Sequence, residues 1–172
     1  HSKNYVRIPR KPSDPIPIHP ASEVDRVSIE SSKAAGLNIS RVFSDPKVHP
    51  FDQVKWAKRN AEIKDSSSEF VFRQDDVEFP EEWSQLAVNI VSSKYLYGDV
   101  QNGNGSPAIG KREFSVKQLI RRVAHTMAVW GYEDGYFASD EDALAFEDEL
   151  TWLLTNQHGA FNSPVWFNVG LW

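Results

Sequence analysis

Phe161-Asn162-Ser163-Pro164-Val165-Trp166-Phe167-Asn168-Val169-Gly170 places a polar Asn-Ser-Pro turn at the head of a short aromatic, β-branched run. Val, Phe and Trp favour a pleated backbone, so the run predicts a strand with a bend at its start. Pro164 fixes one backbone angle, Ser163 brings a hydroxyl, and Asn162 and Asn168 bring amides. Together these groups would present oriented hydrogen-bond donors and acceptors at a strand's mouth, as a binding edge does. On the residues alone, a Pro-bent core strand with polar ends is the plainer alternative.

Upstream of this run the sequence predicts three helices. The first opens at Pro80, a residue suited to the first helical position, and sets Trp83, Leu86, Ala87, Ile90 and Val91 on one face before Gly98. The second has Ser115 as N-cap with Gln118 three residues on, a capping box, and Phe114 and Leu119 as its hydrophobic staple. Its apolar stripe is Leu119, Ile120, Val123, Met127 and Trp130, with Gly131 as the stop. The third starts after Ser139, carries Asp140, Glu141 and Asp142 at the positive end of its dipole, and buries Ala143, Phe146, Leu150 and Leu153 before Gly159. Ahead of the helices, Lys55–Lys64 and Glu69–Arg73 flank Ser66-Ser67-Ser68 and predict a β-hairpin. Asp99–Gly110, rich in Gly, Asn and Ser, predicts an exposed, mobile loop.

Residues 1–44 hold five of the ten prolines, including Pro15-Ile16-Pro17-Ile18-His19-Pro20, followed by Ser28-Ile29-Glu30-Ser31-Ser32-Lys33. Alternating Pro favours extended backbone without internal hydrogen bonds, so this stretch predicts a flexible Pro/Ser-rich extension. The remaining 45–172 is long enough to bury a core, and ten Phe, six Trp and five Tyr supply the area for one.

Bulk properties exclude several functions. A net charge of −5 lacks the clustered Lys and Arg that phosphate backbones demand, which argues against a nucleic-acid partner. No apolar run approaches the ~20 residues that span a bilayer, and His1-Ser2-Lys3-Asn4 does not open a secretion signal. The expectation is a cytoplasmic chain with no membrane partner. Without a single cysteine there is no disulfide framework, zinc-thiolate site or thiol nucleophile in these 172 residues.

Gly105-Ser106-Pro107-Ala108-Ile109-Gly110-Lys111-Arg112 nearly matches a phosphate-binding loop, but Arg112 stands where a Ser or Thr must hold magnesium. Polar Asn102-Gly103-Asn104 replaces the buried strand such a loop requires, so a plain loop is the better reading. None of the histidines, His1, His19, His49, His125 and His158, lies three or four residues from another, which leaves no helix-face metal pair. His158 near a helix end is explained by the dipole. Glu141, Asp142, Glu147, Asp148 and Glu149 predict a solvated acidic face rather than a proton-transfer pair. No catalytic and no metal-binding residue is assigned.

The opening segment reads differently beside Val48-His49-Pro50-Phe51-Asp52, Val77-Glu78-Phe79-Pro80, Trp83-Ser84, Ile90-Val91-Ser92-Ser93-Lys94-Tyr95, Gly135-Tyr136-Phe137 and Glu149-Leu150. In this order, from about Val42 to Leu171, the chain resembles the N-terminal region of adenosylcobalamin-dependent (class II) ribonucleotide reductases. The resemblance implies a mainly α fold with a small β component, the N-terminal helical region of an α/β barrel, ending in the first barrel strand. It implies substrate-binding roles for Asn162, Ser163, Pro164 and Asn168, near the ribonucleotide's phosphates, with Trp166 and Phe167 packing beneath. It further implies adenosylcobalamin for the full-length enzyme and the rest of the reductase barrel, on the same or a separate chain, as partner. No cofactor is expected on this chain alone. Ribonucleotide reduction needs one cysteine to carry the radical and a pair to supply electrons, so a chain without any would be inactive by itself.

The rival expectation is a noncatalytic helical interaction module whose Pro-rich tail binds a partner and whose last strand joins a partner's sheet. A coding sequence that continues past Trp172 into a barrel with an early cysteine separates the two. If the segment 161–172 lacks its barrel neighbours, it should be poorly ordered, folded back on the helices or paired with another copy, over a protected core of residues 80–158.

Overall fold

The computed structural model describes residues 36–98 and 112–171. The extension before Gly36, the loop Asp99–Gly110 and all but Arg112 of the phosphate-loop-like stretch lie outside the described residues. Within the compact unit Gly36–Gly170, a 3-10 turn at Pro50–Gln53 precedes strands β1 (Trp56–Lys64) and β2 (Phe70–Pro80). Helices α1 (Gln85–Lys94), α2 (Val116–Glu133), α3 (Asp140–Thr155) and α4 (Ser163–Asn168) follow. Among the described residues, four helices and one two-stranded antiparallel sheet make a small mixed α/β fold.

The hairpin forms where the sequence predicts it, and its second strand runs on to Pro80, opposite Trp56. Asp65 builds the turn: its carboxylate accepts from the Ser67 and Glu69 amides and from Ser67 Oγ. Side-chain mimicry of a turn hydrogen bond is what Asp supplies at such sites. A bulge sets Asp75 and Asp76 against Asn60, with Asp76 at φ 57 and its amide donating to Asn60 Oδ1. Inward-facing Ala61, Gln74, Val77 and Phe79 lie at the base of the core.

Pro80 therefore ends a strand and does not open a helix. The cap is Ser84, whose Oγ accepts from the Ala87 amide. The buried row of α1 is Val88 and Ser92, with Ala87, Val91 and Tyr95 packed beside it. Positions two apart on a helix are about 200° apart, so burial of Val88 turns Leu86 and Ile90 to the surface, against expectation. Trp83, just before the cap, is buried and donates from Nε1 to the Thr155 carbonyl, which ties this corner to the end of α3.

Helix α2 carries the predicted capping box at Ser115 and Gln118 and buries Leu119, Ile120 and Val123, with Met127 partly buried and Trp130 at the surface. Gly131 does not stop it. The helix continues to Glu133, and a Cβ at Gly131 would meet the Phe137 ring at 2.6 Å, so the glycine permits a close approach instead. Ser139 caps α3 as predicted; Ala143, Ala145, Thr151, Leu154 and Thr155 form its buried side, while Phe146, Leu150 and Leu153 are half-buried.

The acidic run on α3 is not a free solvated face. It clasps residues 39–44, a strap at the end of the stretch the sequence assigns to the Pro/Ser-rich extension. Asp142 accepts from the Ile39 amide, and Asp148 pairs with Arg41 at 2.6 Å. Glu149 accepts from the Phe43 and Ser44 amides and from Ser44 Oγ. Phe43 stacks on Trp152 at 4.7 Å, and His158 stacks on the same indole at 5.2 Å. Glu147 faces His125 Nδ1 at 3.0 Å. Sequence separations above 100 residues explain why periodicity does not reveal the bonds to Ile39 and Ser44.

Burial alone would raise the Glu149 carboxyl, but the Ser44 hydroxyl and the strap amides outweigh it and hold the group below its ordinary value. Ser139 and the Ile39 amide lower Asp142 likewise. A depressed folded-state pKa contributes stability above the unfolded carboxylate value, near 4, and that contribution is lost as pH falls through the lower folded value. As pH falls below the ordinary carboxylate range, hydrogen exchange should show protection leaving Ile39, Phe43 and Ser44 while Val123 stays protected. Glu149→Gln should reproduce the loss at Phe43 and Ser44 near neutral pH, and unchanged protection there would contradict the clasp.

Candidate functional site

The predicted final strand is helix α4. Pro164 suits the first helical turn, and the Asn162 carbonyl accepts from the Val165 amide at 3.1 Å while the Val169 amide donates to the Val165 carbonyl at 3.0 Å. Asn168 Nδ2 donates to the Pro164 carbonyl at 2.7 Å. A strand needs a neighbour for its backbone groups, and the described sheet holds only β1 and β2. Local bonds therefore win over β propensity. Residues 163–169 lie folded back on α1 and α2, one of the three arrangements expected for this segment.

What holds α4 is a cradle from α1 and α2. Arg122, on α2 and 8% exposed at its side chain, donates from Nη1 to the carbonyls of Trp166 (3.0 Å) and Val169 (2.9 Å). Its Nε pairs with Glu113 at 2.9 Å, and Nη2 reaches the Tyr95 carbonyl. A cation on the last carbonyls of a helix satisfies groups that have no intrahelical partner. Gly170, at φ 76, follows; a Cβ there would sit 2.5 Å from the Arg122 carbonyl oxygen, so no side chain fits. Tyr95 lies against the rings of Trp166 and Phe167 at 6.4 and 5.4 Å, and Phe161 meets Trp166 edge-on at 5.6 Å.

The structure places Ser163, Pro164 and Asn168 on one short helix and Asn162 at its N-cap. Asn162, Pro164 and Asn168 are exposed, and Ser163 is half-buried with its Oγ 3.1 Å from the Tyr95 hydroxyl. Trp166 packs beneath as expected, but Phe167 is 48% exposed. Sequence reasoning passed over Arg122 and Glu113. The available signal was an arginine three residues after Leu119, at the border of an otherwise apolar stripe.

A second buried arginine anchors the start of the α2 segment. Arg112 donates from Nε to Gln74 Oε1 at 2.7 Å, from Nη1 to the Gly98 carbonyl at 2.7 Å and from Nη2 to the Ser92 carbonyl. It closes the end of α1, which is a structural use of the residue that breaks the phosphate-loop pattern. Among the described residues no group of three or more His, Cys, Asp or Glu is placed to hold a metal ion, and no helix is long and apolar enough to cross a membrane.

A small helical unit with a hairpin base and a clamped terminal helix is the class of structure seen here. Residues 57–157 match the family model described as class II vitamin B12-dependent ribonucleotide reductase, and the chain belongs to that family, in its N-terminal region. It is 51% identical over 138 residues to a vitamin B12-dependent ribonucleotide reductase of Rhodopirellula baltica, covering 80% of this chain and 13% of that protein. For the Streptomyces avermitilis protein of the same name the values are 47% over 142 residues, 82% and 14%. A more distant relative of that name, from Bradyrhizobium diazoefficiens, is 32% identical over 161 residues, with 78% and 13% covered. The chain thus spans about an eighth of the length of the curated relatives it matches. The family match stops at 157, ahead of α4.

Proposed function

We propose that this chain is the N-terminal portion of a cobalamin-dependent ribonucleoside-phosphate reductase, which replaces the ribose 2′-hydroxyl by hydrogen through radical chemistry. Its share is structural support and one wall of the substrate site, formed by Asn162, Ser163, Pro164 and Asn168. The observation that carries this reading is the family membership, joined to a terminal helix whose polar residues are exposed while its apolar Trp166 is buried. The partners are the rest of the reductase barrel, on the same or a separate chain, and the ribonucleotide; the setting is cytoplasmic.

Adenosylcobalamin is assigned to the full-length enzyme, because the relatives are named as vitamin B12-dependent reductases. When bound there it supplies the radical, and this chain's residues bind and orient. The amides of Asn162 and Asn168 and the hydroxyl of Ser163 are suited to phosphate and ribose oxygens.

In the full-length reductase, Ser163→Ala should raise KM about 2- to 10-fold, the worth of one neutral hydrogen bond, with little change in melting temperature. A lowered melting temperature with unchanged KM would assign Ser163 to packing alone. The 172-residue chain, supplied with adenosylcobalamin, dithiol and ribonucleotide, should show no turnover, since it has no cysteine thiol to carry a thiyl radical.

A further inference from the structure

Among the described residues Ser163 has one side-chain partner, the Tyr95 hydroxyl, and the geometry points to Tyr95 as a positioning residue for it. We infer that Tyr95 fixes the direction in which Ser163 offers its proton, making Ser163 a hydrogen-bond donor to an anionic oxygen of the substrate. The inference rests on the substrate-wall reading and adds a residue outside the wall.

Tyr95 stands at the C-cap of α1 and is itself held from two sides. Its ring lies against Trp166 and Phe167, and its carbonyl accepts from Arg122 at 3.4 Å. The hydroxyl therefore has a fixed place, 3.1 Å from Ser163 Oγ. Either oxygen could donate. A phenol is far more acidic than an alkyl alcohol and is the better donor. With Tyr95 donating, one Ser163 lone pair is occupied and its own proton is left to point away from the ring, towards whatever lies beyond the exposed face of α4. Donation into an oxygen also strengthens the next bond in the chain, so the pair gives a directed donor where a free hydroxyl would rotate. A phosphate or ribose oxygen accepts such a bond; a cation does not.

Tyr95→Phe removes one oxygen and keeps the ring that packs on Trp166 and Phe167. In the full-length reductase it should raise KM for the ribonucleotide about 2- to 10-fold while kcat and melting temperature stay near those of the parent. The effect should vanish in a Ser163→Ala background, because both changes remove the same directed donor. If Ser163→Ala raises KM and Tyr95→Phe does not, or if the two effects simply add, the positioning role is overturned and the substrate-wall reading stands. A melting temperature that falls in Tyr95→Phe with KM unchanged would overturn it too, as a packing role. If Ser163→Ala leaves KM unchanged, the wall reading fails first and the role of Tyr95 fails with it.

Discussion

Arg122→Met destabilises the chain by about 3–5 kcal/mol, the usual cost of removing one partner from a buried ion pair. The guanidinium and the Glu113 carboxylate are 8% and 12% exposed at their side chains and 2.9 Å apart. Methionine matches the length of the stem but leaves Glu113 charged and almost dry, with the Tyr97 amide as a remaining donor. It also leaves the Trp166 and Val169 carbonyls without the donor that closes α4. Adding Glu113→Gln removes the stranded charge, so the double variant should recover part of the loss. Urea midpoints at constant m-value provide the measurement. A single-variant loss below about 1 kcal/mol would place this pair with solvent-exposed bridges, whose worth is that small.

Phe79→Ala should cost a similar amount, about 3–5 kcal/mol, from lost transfer energy and the cavity left behind. Phe79 is 0% exposed and its ring centroid lies 5.4 Å from that of Trp83, at the junction of β2 with the Ser84 cap. Phe79→Leu keeps most of the volume and should cost less than about 1.5 kcal/mol. Phe167→Ala offers the contrast: at 48% exposure it should fall well below either loss. Equal costs for Phe79→Ala and Phe167→Ala would mean that α4 is packed more deeply than described.

Features set by a few adjacent residues were legible in the sequence. Ser115 with Gln118, Ser139 with its acidic first turn, and the hairpin around Ser66–Ser68 declare themselves because the bonds they make reach only two to four residues. Helix α1 was misplaced because Pro80 fits a helix start in isolation, whereas its pairing with Trp56, 24 residues away, makes it a strand end. The α4 segment shows the same conflict. Val165, Phe167 and Val169 carry β propensity, but propensity is realised only with a neighbouring strand, and the Arg122 clamp rewards the helix instead. Of the candidate site, the polar residues were legible and their supports were not, since Tyr95 and Arg122 act from 68 and 44 residues away.

The clasp on α3 bears on the order of synthesis. Ser44 leaves the ribosome before Glu149, which follows it by 105 residues. At roughly 5–20 residues per second, the amides of Phe43 and Ser44 wait about 5–20 seconds for the carboxylate that satisfies them. During that interval the hairpin and the first helices can already collapse on local contacts, while a loop of this length must still close. The strap is made early and docks only once α3 has emerged, so a nascent chain halted before α3 would carry its hairpin and lack its clasp.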